Sequence, residues 1–101
     1  MATYRLSNSA DQDFDSLYVY GVLTFGLEQA DSYAAGMLEH FTRIAEQPRL
    51  YQAIDPIRPG MRRSVYGAHA IYYREDDDGV LIVRILRGQE VSVALRDGGE
   101  A

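Results

Sequence analysis

The sequence predicts an α+β fold of order β-α-α-β-β-β, with an antiparallel helical hairpin packed on one face of a mainly antiparallel sheet. Three observations predict it. Two stretches with apolar residues every three or four positions follow one another almost without a link. An alternating segment precedes them, and further apolar segments follow, two of them joined by an acidic turn ending in Asp78-Gly79. With 101 residues, 47% apolar and 25% charged, the chain suits one small domain with a core of its own, residues 1–101.

Each element has its local reason. Within residues 1–7, Tyr4 and Leu6 alternate with Thr3, Arg5 and Ser7, a half-buried first strand. Ser7, Asn8 and Ser9 offer N-caps, and Asp11, Asp13 and Asp15 suit the positive end of a helix dipole. Residues 9–47 read as the hairpin. Ala10, Phe14, Leu17, Tyr18, Gly21, Val22 and Phe25 line one helix face, and Gly26 ends it as a left-handed cap. Ala30, Tyr33, Ala34, Met37, Leu38, Phe41, Ile44 and Ala45 line the next helix, bounded by Pro48. Gly21 and Gly36 each cost about 1 kcal/mol relative to alanine; either the helix backbones approach closely there or the glycines are merely tolerated.

Residues 48–60, with Pro48, Pro56, Pro59 and Gly60, have no sustained period and read as a loop. Residues 61–87 read as three strands: Met61–Tyr66, Ala68–Arg74 beyond a turn at Gly67, and Val80–Leu86. The tail, residues 88–101, alternates at Val91, Val93 and Leu95, either as an edge strand or as a segment ordered by a partner.

Composition excludes several chemistries. Without cysteine there are no disulfides, thiolate metal sites or cysteine nucleophiles. All ten basic residues are arginine, so Schiff-base chemistry and a phosphate-loop lysine are out. With two histidines and no ligand spacing, neither a metal nor another cofactor is expected. No apolar run approaches the roughly 18 residues of a membrane span, and Met-Ala-Thr-Tyr-Arg leads into no secretory segment, so a cytoplasmic protein is expected.

Net charge is −5, unfavourable for non-specific binding to DNA or anionic membrane. Its distribution is uneven: residues 43–74 carry six arginines against Glu46 and Asp55, between two acidic segments. The strand arginines Arg62, Arg63, Arg74, Arg84 and Arg87 are the distinctive set. Simple alternation puts Arg84 on one face with Val80, Ile82 and Leu86, where an unpaired charge is costly. It is therefore either paired with a carboxylate or on an uncovered sheet face that binds a partner.

Proton-transfer groups are scarce. His69 lies near Tyr72 and Tyr73 and can serve either as a base or as hydrogen-bonded structure; His40 sits at the edge of its helix stripe. Arginine can stabilise a phosphorane but cannot shuttle protons. RNA cleavage would thus fall to His69 or Tyr73 with Arg84, with no second histidine nearby as acid. The acidic run Glu75–Asp78 lacks calcium-loop spacing and reads as a solvated hairpin tip. Val19, Tyr20, Leu23 and Leu27 lie opposite the main stripe of the first helix, so its second half is apolar nearly all round. Either the tail or a partner must cover it.

Together these residues resemble the ParE toxins of the RelE/ParE toxin–antitoxin superfamily over residues 4–87. The motifs are Tyr4-Arg5-Leu6-Ser7, Tyr20, Phe25-Gly26, Glu28-Gln29-Ala30, Tyr33, Leu38, Ile44-Ala45-Glu46-Gln47-Pro48, Gly60-Met61-Arg62-Arg63, Gly67-Ala68-His69, Ile71-Tyr72-Tyr73-Arg74 and Val83-Arg84-Ile85-Leu86. The resemblance implies a small cytoplasmic toxin, wrapped by the C-terminal helix and strand of a ParD-like antitoxin in a hetero-oligomer. DNA would be met only through the antitoxin, in an autoregulatory complex. ParE-like members inhibit DNA gyrase, whereas the RelE branch cuts mRNA on the ribosome. The family often has a histidine after Arg-Ile-Leu, where this chain has Arg87. The expectation is gyrase inhibition by protein contact through Arg62, Arg63, Arg74, Arg84 and Arg87 on a sheet face left open by the helices. The antitoxin is expected on Val19, Tyr20, Leu23 and Leu27. The alternative is a RelE-type endonuclease using His69, Tyr73 and Arg84.

Overall fold

A computed structural model describes residues 3–54 and 59–87. Its elements are β1 (Tyr4–Leu6), α1 (Asn8–Phe25), α2 (Leu27–Glu46), β2 (Gln52–Ala53), β3 (Arg62–Tyr66), β4 (His69–Asp76) and β5 (Gly79–Arg87). Two helices pack on a five-stranded sheet of order β1-β5-β4-β3-β2. All neighbours run antiparallel except β1, which lies parallel to β5 with Tyr4 opposite Val80 and Leu6 opposite Ile82.

Ser7 starts α1. Its Oγ accepts from the Ala10 amide at 3.0 Å and donates to the Val83 carbonyl at 2.8 Å, so one hydroxyl caps the helix and fastens it to β5. Gly26 alone joins the helices: its N–H donates to the Val22 carbonyl and its own carbonyl accepts from Ala30. Its φ of +96° is glycine territory, but ψ of 162° makes it an extended corner rather than the left-handed cap expected. A single corner residue cannot continue either helix, and the chain doubles back.

The two helical glycines answer to different neighbours. A Cβ on Gly21 would sit 3.4 Å from the Ala30 Cβ, which is close helix–helix packing. At Gly36 the nearest neighbour is a side chain of the sheet, not the other helix. A Cβ there would overlap the Tyr66 hydroxyl of β3, so the glycine makes room for a side chain of the sheet.

Two boundaries differ from expectation. The 48–60 segment is not loop throughout: Gln52 and Ala53 pair with Arg63 and Arg62, a strand too short to show a period. β4 runs on to Asp76, so the turn is Asp77-Asp78 alone, held by the Asp78 amide donating to Asp76 Oδ1 at 3.0 Å. Residues 88–101, expected as an edge strand or partner-ordered tail, lie outside the described residues.

The main core lies between helices and sheet. Met37, Phe41, Ile44 and Ala45 of α2 and Ala10 of α1 meet Ile71, Tyr73, Val80, Ile82 and Ile85. Each large side chain buried there is worth about 1.5–3 kcal/mol. A second buried cluster, Ile54, Met61, Ala70, Tyr72, Val83 and Leu86, forms on the far side of the sheet. The face expected to be open and studded with arginine is therefore apolar at its centre.

Candidate functional site

The arginines divide because β5 carries a bulge. Tyr72 opposes Arg84 and Tyr73 opposes Ile82, leaving Val83 as an extra residue. Beyond it, Ile85 takes the helix-facing position and Arg84 no longer shares a face with Val80 and Ile82. The guanidinium reaches the carboxylate of Asp13 on α1, Nε at 2.8 Å and Nη2 at 3.1 Å, and the Ile85 amide donates to the same carboxylate at 2.9 Å. This two-pronged, partly buried pair is of the strong class and locks the first turns of α1 onto the edge of β5.

The other arginines do not form one surface with it. Cross-strand register places Arg63 beside Tyr72 on the far side of the sheet, its Nε donating to the Tyr72 hydroxyl at 3.2 Å. Arg74, two residues on from Tyr72, alternates to the same side and is exposed. Arg62 turns to the β2 edge and donates to the Tyr51 carbonyl at 2.7 Å. Arg87 ends β5 with its guanidinium 4.8 Å above the ring of Tyr20, a cation–π contact between sheet and α1. Two arginines flank the far-side apolar cluster, one holds a loop, one clamps α1 and one stacks on it.

The residues considered for RNA cleavage are not gathered at one point. His69 and Tyr73 project from the same side of β4 four residues apart, about 13 Å along the strand. Tyr73 is fully buried, its hydroxyl donates to the Pro48 carbonyl at 2.6 Å, and burial pushes its pKa up to about 12 against the pull of Arg62. That disfavours the phenolate a base would need. His69 Nδ1 lies 2.8 Å from the Tyr33 hydroxyl, which also accepts from the Ala68 amide at 3.2 Å. Burial raises the Tyr33 pKa, partly offset by the Ala68 bond. His40, on α2, pairs with Ser64 of β3 at 2.6 Å, and burial followed by repulsion from Arg43 lowers its pKa.

The outer half of α1 exposes several large apolar side chains. Leu23 is 81% exposed and Val19 55%, with Tyr20 and Phe25 about half exposed; Leu27, expected on the first helix, instead opens α2 beyond the Gly26 corner and is 60% exposed beside them. Beside this ridge a cleft of about 260 Å³ opens between the hairpin and the β3–β4 turn, its walls including Leu17, Tyr20, Phe25, Tyr33, His69 and Arg87. Sequence reasoning missed Asp13 and Tyr33 as functional neighbours. For Asp13 the signal was present: an arginine in an apolar strand calls for a carboxylate. For Tyr33 nothing separates a core tyrosine from one that orients a histidine.

Residues 4–91 match the family described as the ParE toxin of the type II toxin–antitoxin system parDE. The chain belongs to the ParE toxin family. Toxin ParE1 of Caulobacter vibrioides is 38% identical over 74 residues, 73% of this chain and 77% of that protein. Toxin ParE1 of Mycobacterium tuberculosis is 32% identical over 84 residues, 82% of this chain and 86% of that protein. A solved structure described as a chromosomal ParDE toxin–antitoxin system from P. aeruginosa superposes with a TM-score of 0.73 at 20% identity, covering 86% of this chain and 96% of that one, which establishes the shared fold. The family read from the arginine-rich and tyrosine motifs is thus the family found, and this ParE toxin is a component of a type II toxin–antitoxin system.

Proposed function

We propose that this ParE toxin inhibits DNA gyrase by protein–protein contact, acting without catalysis in the cytoplasm, and is neutralised by a ParD-like antitoxin in a hetero-oligomer. The observation that carries the antitoxin half is the ridge of Val19, Tyr20, Leu23 and Leu27. A helix half that is apolar on its outer side and unburied suits a partner helix. The P. aeruginosa relative, by its description, belongs to a toxin–antitoxin pair. Inhibition by contact is favoured by the scattering of His69, Tyr73 and Arg84, which leaves an acid–base mechanism without assembled parts. Gyrase is contacted through Arg63 and Arg74 on the far side of the sheet, with Arg62 and Arg87 at its rims, where planar guanidinium groups suit acidic protein surfaces. Arg84 serves by fixing α1 through Asp13. With a net charge of −5, DNA is met only through the antitoxin in an autoregulatory complex.

Two assays test this. The purified chain should block gyrase supercoiling and leave ribosomal translation intact; translation arrest with mRNA cleavage and normal supercoiling overturns the reading. Leu23→Glu should weaken calorimetric binding of the antitoxin roughly tenfold or more while the variant stays folded. Unchanged affinity removes the ridge from the interface.

A further inference from the structure

We propose that the cleft between the helical hairpin and the β3–β4 turn is a binding site for a small organic acid, a carboxylate carried on a flat aromatic body. The cleft shares Tyr20 with the antitoxin ridge and Arg87 with the gyrase-facing rim, but the proposal does not rest on either reading. Its walls are apolar and largely aromatic: Leu17, Phe25 and the rings of Tyr20 and Tyr33 face it, and aromatic faces take flat ligands well. At about 260 Å³ it lies just below the usual range of small-molecule sites, so its ligand is fragment-sized.

Charge decides which end of the ligand is polar. The chain holds fifteen acids against ten arginines, yet none of the described residues lining this cleft is acidic, and Arg87 and His69 both line it. These two are direct cross-strand partners in the β4–β5 register. Neither is loosely placed: the Arg87 guanidinium sits over the Tyr20 ring, 4.8 Å from its centroid, and Tyr33 holds His69 through Nδ1. The nearest carboxylate in the adjoining cleft, Asp13, is already engaged by Arg84 and the Ile85 amide. A guanidinium already held beside an apolar slot can pair with a carboxylate in two-pronged fashion with little ordering cost.

The test titrates indole-3-propionate into the ¹⁵N-labelled full chain by NMR, with indole-3-propionamide as the uncharged match. Expected are saturable shifts centred on Leu17, Tyr20, Ala68 and Arg87 with a Kd on the order of 1 mM, set by roughly fourteen non-hydrogen atoms at ordinary ligand efficiency. The amide should bind about fivefold weaker or less tightly still, since it lacks the charge that strengthens the guanidinium bond. Arg87→Gln should bring the acid to the amide's level, and Phe25→Ser, at an exposed wall position, should weaken both ligands alike. Equal binding of acid and amide overturns the proposal, as do shifts away from the cleft or none up to about 10 mM, well above the affinity that ligand efficiency sets. Loss of the antitoxin interaction in Leu23→Glu has no bearing on it.

Discussion

The helices of the hairpin are similar in length and joined by one residue, yet they are held in different ways. α2 buries Ala30, Met37, Phe41, Ile44 and Ala45 and is fixed chiefly by packing, with Tyr33–His69 and His40–Ser64 as added polar ties. α1 fully buries only Ala10. It is held by directional polar contacts: the Ser7 cap on Val83, Asp13 on Arg84 and the Ile85 amide, and the Tyr18 hydroxyl donating to Asp31 at 2.5 Å. Packing fixes a whole helix and consumes its apolar face. Polar fastening needs only a few groups, here mostly at the N-terminal end, and leaves the far half of α1 available as a surface.

Five measurements would break or sharpen this contrast. Phe41→Ala removes a fully buried ring that meets Tyr4 edge-on at 5.4 Å and Phe14 at 6.3 Å; urea unfolding should show a loss of about 3–5 kcal/mol. A loss below about 1 kcal/mol would mean that α2 is not fixed by packing. Asp13→Ala removes the carboxylate that pairs with the partly buried Arg84 guanidinium and accepts from the Ile85 amide, for an expected loss of about 2–3 kcal/mol. If it proves neutral, α1 is held by something other than its polar fastenings.

Gly36→Ala should cost about 1–3 kcal/mol through overlap with the Tyr66 hydroxyl. In a Tyr66→Phe background most of that cost should vanish, and a double-mutant cycle reads the coupling directly. His40 supplies a pH signature for α2. Its folded pKa lies below the ordinary value near 6.5, so the unfolded chain binds more protons in the intervening window. Its contribution is complete above about pH 6.5 and is lost as pH falls below it; His40→Gln should flatten the unfolding midpoint over pH 5–7, and an unaltered slope would assign the acid sensitivity elsewhere. Smallest is Leu23→Ser on the exposed ridge of α1, expected within about 0.5 kcal/mol of the parent, and a larger loss would show that the ridge is part of the fold's own packing.

Much of the site was legible only in part. Val19, Tyr20, Leu23 and Leu27 follow from helical period alone, because a helix apolar on its second side declares a surface whatever covers it. The arginine set was visible as residues but not as geometry. Whether Arg84 faced a core, a solvent face or a carboxylate turned on one extra residue, Val83, in a ladder whose register no local pattern reveals. Tyr73 illustrates the same limit, since a strand tyrosine beside a histidine looks chemical until burial and the Pro48 carbonyl fix its hydroxyl.

The sequence alone determined the element order apart from the short β2, the helical hairpin, the apolar second half of α1 and the family, since these depend on spacing of three, four or two and on motifs read along the chain. Tertiary structure alone decided that β1 runs parallel to β5, that Gly36 answers to Tyr66, that Arg84 meets Asp13, and that Arg87, Tyr20, Tyr33 and His69 share one cleft. The reason is physical: periodicity reports which side of an element is apolar, whereas partners separated by up to 76 residues are chosen by strand register and by where a helix is fastened.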